Sequence, residues 1–162
     1  MDIWTSAATG RDPAALVGYL KGGGDPNAQN HGRSLLYIAA GSGQCELVKA
    51  LLDHGADPNS ADSLNRQCAL HLAAWMRDVC AARALILAGA QVDPRDMFGN
   101  TPLFYAVGFH APADLELVRL LLTNGAAANS TNNYKVQILA RVQASGPADV
   151  RAVFEELGLF GS

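Results

Sequence analysis

Four histidines (His31, His54, His71 and His110), three cysteines (Cys45, Cys68 and Cys80) and scattered carboxylates are the side chains of this 162-residue chain suited to moving protons, attacking carbonyls or holding metal. Nucleophilic catalysis needs a Cys or Ser beside a base, and a zinc centre needs His and Cys at short spacing. No such spacing occurs, and no nucleophile elbow is visible. Gly22-Gly23-Gly24 follows a helical pattern rather than opening one, so it is not a phosphate cradle. Asp12, Asp114, Glu116 and Asp149 stand at helix starts, where negative charge suits the helix dipole. The three cysteines are odd in number and unpaired in spacing. They read as reduced thiols packed as small hydrophobes in a cytoplasmic protein. The expectation is no enzyme, no metal and no cofactor.

The totals agree with a soluble globular domain. The chain is 49% hydrophobic and 17% charged, with a formal net charge of −3, which gives no basic footprint for nucleic acid. Its first residues, Met-Asp-Ile-Trp-Thr-Ser, have no basic region or long apolar run of signal-peptide type. No segment approaches the roughly 20 apolar residues that span a bilayer. A monomer when free, bound to neither membrane nor nucleic acid, is expected.

The elements that must position these residues repeat. Leu36, Leu70, Leu103 and Leu139 follow one another at steps of 34, 33 and 36, in frames such as Ser34–Ala39, Cys68–Ala73 and Thr101–Ala106. A hydroxyl followed by Pro, as in Thr101-Pro102, suits a helix start, with the Thr oxygen free to accept an orphan N–H. A second marker, Gly55-Ala56-Asp57-Pro58-Asn59, has copies at Gly23, Gly89 and Gly125. Between the markers lie apolar doublets such as Leu47, Val48, Leu51 and Leu52, one broad stripe of a helix. Each stripe ends at a Gly, as a left-handed helix stop requires. Each unit therefore reads as helix, loop, helix, Gly stop and extended hairpin.

On Thr101–Ala106, Gly55–Asn59 and the period near 33, the chain resembles an ankyrin-repeat protein over residues 2–158. The resemblance implies an all-α repeat solenoid of about five units, with two antiparallel helices per unit and projecting β-hairpin fingers. The division expected is a capping helix pair at 1–23, full repeats at 24–55, 56–89 and 90–125, a C-terminal capping repeat at 126–158, and a tail at 159–162. The second hairpin, Ser60–Gln67, is read as one residue longer than the third, with Asn65 in the left-handed position. Val150, Val153, Phe154 and Leu157 are expected to face inward, and Trp4 to pack under the first cap. His71 holds the family's structural-histidine position and is expected to bond backbone between repeats.

The resemblance also places the partner surface on the hairpin tips and the exposed face of the first helices. The residues found there are Trp75, Met76, Met97, Phe98, Phe109 and Tyr134, with His31, Arg33, Arg66 and Arg95 around them and Asn100 at a tip. Aromatic side chains and Met at solvent-facing positions have the composition of an interface core. The expected function is protein binding without catalysis, in the manner of a stoichiometric inhibitor or an immunity-type protein of a small, stand-alone bacterial kind. A scaffold or host-directed effector adaptor is the alternative within that class. A regulatory subunit of an enzyme, with a small-molecule pocket, is the alternative of another class.

Overall fold

The computed structural model describes residues 2–10, 12–107 and 113–160. Ten helices run through these residues in antiparallel pairs: α1 (Ile3–Thr9) with α2 (Pro13–Lys21), α3 (Leu35–Gly41) with α4 (Cys45–Asp53), α5 (Ala69–Met76) with α6 (Val79–Leu87), α7 (Pro102–Ala106) with α8 (Leu115–Thr123), and α9 (Ile138–Ser145) with α10 (Ala148–Glu156). First helices pack along an inner row, α1 on α3 on α5 on α7, and second helices along an outer row, α2 on α4 on α6 on α8 on α10. This is an all-α repeat solenoid.

The apolar doublets build its core. Leu47, Val48 and Leu51 are buried, as are Leu117, Val118 and Leu121, while Leu52 and Leu122 are half covered. Leu36, Leu70 and Leu103 are sealed between the rows, and Leu139 in the more divergent last unit is only partly so. Val150, Val153 and Phe154 close the C-terminal end with Leu157 half buried behind them, and Trp4 packs partly buried at the other end. Burial of each such side chain contributes about 1.5–3 kcal/mol.

Every outer helix stops in the same way. At α4 the Gly55 N–H donates to Leu52 O (3.0 Å) and the Ala56 N–H reaches back to Leu51 O (3.0 Å), a paired closure that uses a left-handed residue at φ 88. The Asn that follows clamps the next repeat. Asn59 Nδ2 donates to Gly89 O (3.3 Å), and its Oδ1 accepts from Gln91 N (2.8 Å). Asn27 does the same one repeat earlier, toward Gly55 O and Asp57 N. The Gly-Ala-Asp-Pro-Asn marker is thus a stop followed by a clasp.

The fingers follow. In the first, strands β1 (Gln29–Asn30) and β2 (Arg33–Ser34) pair antiparallel, Gln29 opposite Ser34 and Asn30 opposite Arg33. The second closes from Asp62 N to Gln67 O and the third from Asp96 N to Asn100 O, so the second carries one more residue. The left-handed residue of the second finger is Arg66 (φ 57), not Asn65. Asn65 instead gives its carbonyl to Met97 N in the next finger (2.8 Å). Ser63 N to Gly32 O (3.1 Å) and Asn133 N to Phe98 O (2.9 Å) continue that ladder across the other fingers.

Outer helices are also tied in series. Cys45 and Cys80 form a disulfide between α4 and α6, with Cα atoms 5.8 Å apart. Arg83 pairs with Glu116 (3.1 Å) between α6 and α8, and Arg119 with Glu156 (2.6 Å) between α8 and α10. The disulfide corrects the expectation of three reduced thiols: only Cys68 is free, and it is buried. Cys45 and Cys80 lie 35 residues apart, close to one repeat period, so stacking brings them to neighbouring helix starts.

Candidate partner-binding face

Side-chain caps open α1, where Thr5 N donates to Asp2 Oδ1 (2.7 Å), and α3. Tyr37 N donates to Ser34 Oγ (3.2 Å) at α3. At α5 the cap is Cys68, whose N–H donates to His71 Nδ1 (3.1 Å), with Cys68 Sγ 3.3 Å from the same nitrogen. Nδ1 is thus an acceptor, so Nε2 carries the proton and donates to Asn100 O (3.1 Å), which joins the second repeat to the third. His71 is wholly buried, as the family position implied, and burial holds its pKa below the ordinary histidine value. The same burial pushes the Cys68 thiol up. A Cys–His pair sealed from solvent, with the thiol protonated and the imidazole neutral, has the composition of a nucleophilic dyad but neither its access nor its charge state. At α7 the expected cap bond is missing: Thr101 Oγ1 is buried with no hydrogen-bond partner among the described residues.

A chain of polar contacts crosses the inner face above these caps. Tyr37 Oη donates to Gln67 Oε1 (3.4 Å), Gln67 Nε2 donates to Tyr105 Oη (3.1 Å), and Tyr105 Oη donates to Asp96 Oδ2 (2.6 Å). Burial raises the Tyr105 phenol, and its bond to the Asp96 carboxylate raises it further. Asp96 Oδ1 accepts from Phe98 N (2.8 Å) and Asn100 N (2.9 Å), which shapes the third finger. Asn132 Oδ1 shapes the fourth in the same way, accepting from Tyr134 N and Val136 N (3.0 Å each). Tyr105 is the residue that sequence reasoning missed. Its one signal was a Tyr in the frame where Ile38 and Leu72 stand in the earlier units.

On this framework stand the expected partner residues. Trp75 is 55% exposed at the end of α5, with Met76 beside it. Met97 and Phe98 are exposed on the third finger and Tyr134, 68% exposed, on the fourth. The Phe98 and Tyr134 rings stack across the two fingers, centroids 6.3 Å apart and planes at 28°. Leu64 adds a further exposed apolar side chain on the second finger. His31, Arg33 and Arg66 are exposed on the first two fingers. Asn100 is a correction: it is buried, donating to Tyr105 Oη and accepting from Asn132 Nδ2 (2.8 Å), so it ties fingers together. Arg33 and Arg95 also have work inside the fold. Arg33 lies 3.5 Å from buried Asp62, and Arg95 Nη1 donates to Thr131 O (2.8 Å). Phe109 and His110 lie outside the described residues.

A groove of about 720 Å³ opens elsewhere, on the outer row, with Leu52, Val79 and Leu87 along it and Lys49, Arg83 and Glu116 at its edges. It is separate from the finger face. Near it Cys45, Asp78 and Cys80 bring three potential metal ligands within 4.8 Å of one another. Both sulfurs are committed to each other, and Asp78 Oδ1 accepts from Ala81 N (2.9 Å). No helix of the described residues is long and apolar enough to cross a membrane.

Stacked helix pairs with projecting fingers define the helical-repeat class of interaction proteins. The description "Ankyrin repeats (3 copies)" matches residues 5–96 and 36–133, and the chain belongs to the ankyrin-repeat family. It is 39% identical over 94 residues to diacylglycerol kinase iota of Rattus norvegicus, covering 56% of this chain and 9% of that protein. It is 45% identical over 75 residues to protein PhlB of Serratia liquefaciens, covering 46% of this chain and 33% of that one. It is 29% identical to human cyclin-dependent kinase inhibitor 2A over 147 residues, 90% of this chain and 88% of the inhibitor. The chain thus spans about a tenth of the kinase it matches, and that match lies in the repeats. Repeats of this family are protein-interaction modules and are generally not catalytic.

Proposed function

We propose that this chain is a non-enzymatic protein-binding module that takes its partner on the finger and inner-helix face, across the second and third repeats. One observation carries the reading. Seven large apolar side chains are exposed among the described residues, and six of them lie on the fingers or at the end of α5: Leu64, Trp75, Met76, Met97, Phe98 and Tyr134. Only Leu87 stands on the outer row. Exposed apolar area gathered on one side marks an interaction surface, with aromatic anchors as its energetic centre. The partner-binding set is Trp75, Met76, Met97, Phe98, Phe109 and Tyr134, rimmed by His31, Arg33 and Arg66.

Within this reading a stoichiometric inhibitor or immunity-type role is favoured over a scaffold or effector adaptor. The support is a match, over nearly the whole of both chains, to a relative whose name is that of an inhibitor. A free monomer that forms a one-to-one complex follows. The disulfide bears on location. Such bonds persist in oxidising compartments and are rare in the cytosol, so the cytoplasmic assignment loses one of its supports, the reduced thiols. The outer groove is where a small-molecule regulatory role would be sought.

Trp75→Ser combined with Met97→Ser tests the surface. Purified from the source cells with its bound protein, the wild type should retain a partner in one-to-one ratio and the double variant should lose it. Helical circular dichroism and Tm should match wild type. A variant that unfolds, or one that retains the partner, overturns the reading.

A further inference from the structure

The fingers share one turn slot, two residues before each helix cap, and in all four that slot is left-handed: Gly32 (φ 74), Arg66 (φ 57), Gly99 (φ 76) and Lys135 (φ 64). Non-glycine residues are strained there. Glycine has a second reason in two of the fingers. A side chain at Gly32 would meet Ser63 of the next finger at 1.9 Å, and one at Gly99 would meet Asn133 at 2.6 Å. The second finger escapes because its extra residue puts Asn65, not Arg66, against its neighbour. The fourth is the last finger among the described residues. At the two slots with room for a side chain the chain places a cation rather than glycine, although glycine would relieve the strain.

These two cations differ from the other basic residues of the fingers. Arg33 pairs with Asp62, and Arg95 bonds the fourth finger. The side chains of Arg66 and Lys135 have no such partner among the described residues. The finger carboxylates Asp62, Asp93 and Asp96 are fewer than the four finger cations, and none of them pairs with Arg66 or Lys135 among the described residues. Asp62 and Asp96 are buried in the turns they organise, and Asp93 is half covered and accepts from Ala127 N (2.8 Å). Exposed carboxylates lie on the outer row and the loops leaving it, among them Glu46, Asp53, Asp57, Glu116 and Glu155, with Asp2 at the first cap as the exception. The net charge of −3 is therefore unevenly placed: the fingers, with four cations against three carboxylates, carry +1, and the rest of the chain carries −4. Each free cation also adjoins an exposed apolar residue, Leu64 near Arg66 and Tyr134 next to Lys135.

We infer that the finger edge formed by Leu64, Arg66, Tyr134 and Lys135 docks an acidic protein segment, its carboxylates on the two cations and its apolar side chains on Leu64 and the Phe98–Tyr134 stack. The inference rests on the proposed protein-binding face and specifies the chemistry of its partner. Complementary charge of this kind steers association and selects among partners more than it adds affinity.

The probe is a displayed library of random peptides selected on the intact chain at low salt. Selected peptides should be enriched in Asp and Glu next to aromatic or aliphatic residues. Their affinity should fall at least tenfold between 50 and 300 mM NaCl and be lost in Arg66→Glu/Lys135→Glu. A control reversal on the outer row, Lys21→Glu/Arg151→Glu, should leave binding unchanged. Arg66→Gly/Lys135→Gly should also weaken binding at least tenfold while Tm holds or rises, which a purely structural role for these residues would not give. Peptides that depend on Trp75 but not on Arg66 and Lys135 overturn the acidic-partner inference and leave the surface standing. Failure to obtain peptides that depend on either set overturns both. Retention of single- or double-stranded DNA or RNA 20-mers at 50 mM salt, lost in the charge reversal, would overturn the inference in favour of a nucleic-acid occupant.

Discussion

The indole of Trp75 meets the ring of Tyr105 edge-on, with centroids 5.5 Å apart and planes at 72°. Tyr105 is itself held through its hydroxyl by Asp96 and Gln67. A large exposed side chain on the second repeat is therefore braced by the third, which would lower its ordering cost in the proposed contact. Tyr105→Phe should keep the edge contact but strip Asp96 Oδ2 of its donor. We expect a loss of about 1–3 kcal/mol in urea unfolding, with the fluorescence maximum of Trp75 little changed. Tyr105→Ala should shift that maximum as well.

Stability should depend on pH through His71. Its folded pKa lies below the unfolded value of about 6.5, because burial and the acceptor role of Nδ1 disfavour the imidazolium. The unfolded chain thus binds the proton more readily. The neutral ring contributes fully above about pH 6.5, and that contribution is lost as pH falls through the folded pKa. Urea midpoints measured from pH 8 to pH 5 should decline over this window, and His71→Gln should flatten the decline.

The disulfide predicts a thiol count and a stability difference. Unfolded under non-reducing conditions, the protein should give one reactive thiol, Cys68, rather than three. Reduction, or Cys45→Ser with Cys80→Ser, opens a loop of 35 residues and should cost roughly 3–4 kcal/mol on the chain-entropy estimate. Unchanged Tm on reduction would contradict the link.

Leu103 is wholly buried at the centre of the Thr101–Ala106 frame. Leu103→Ala should cost about 2–5 kcal/mol in chemical unfolding, as a large-to-small change in a packed core. The same truncation at Leu64, which is 66% exposed, should leave stability nearly unchanged.

Much of the fold was legible because its signals are local and periodic. A Gly at a helix stop, a Leu two residues past a cap and an apolar doublet each state their own role, and recurrence near 33 residues identifies the stack. Contacts between repeats were harder to read. Cys45 and Cys80 carried the one available hint, a separation near the period, but pairing requires knowing that outer helices lie side by side. Asn65 and Arg66 were exchanged because propensity favours Asn in a left-handed turn, whereas the extra residue of that finger commits Asn65 to its neighbour. Asn100 looked like a tip residue and proved a strut, since its partner Asn132 lies a full repeat away. On the candidate face, exposed residue types were visible in the sequence. Their bracing by Tyr105 and the burial of the finger carboxylates were not.

The three ties along the outer row differ in kind, and this sets where the array comes apart. The link between α4 and α6 is covalent, whereas those to α8 and α10 are exposed ion pairs that salt screens. Units that touch only their neighbours fray from the weaker end. Amide hydrogens of α10 and α8 should therefore exchange ahead of those of α4 and α6, and added salt should widen the gap. Such fraying would loosen the fourth finger first, and with it Lys135 and Tyr134, ahead of Trp75, which sits on α5 in the repeats that the disulfide links.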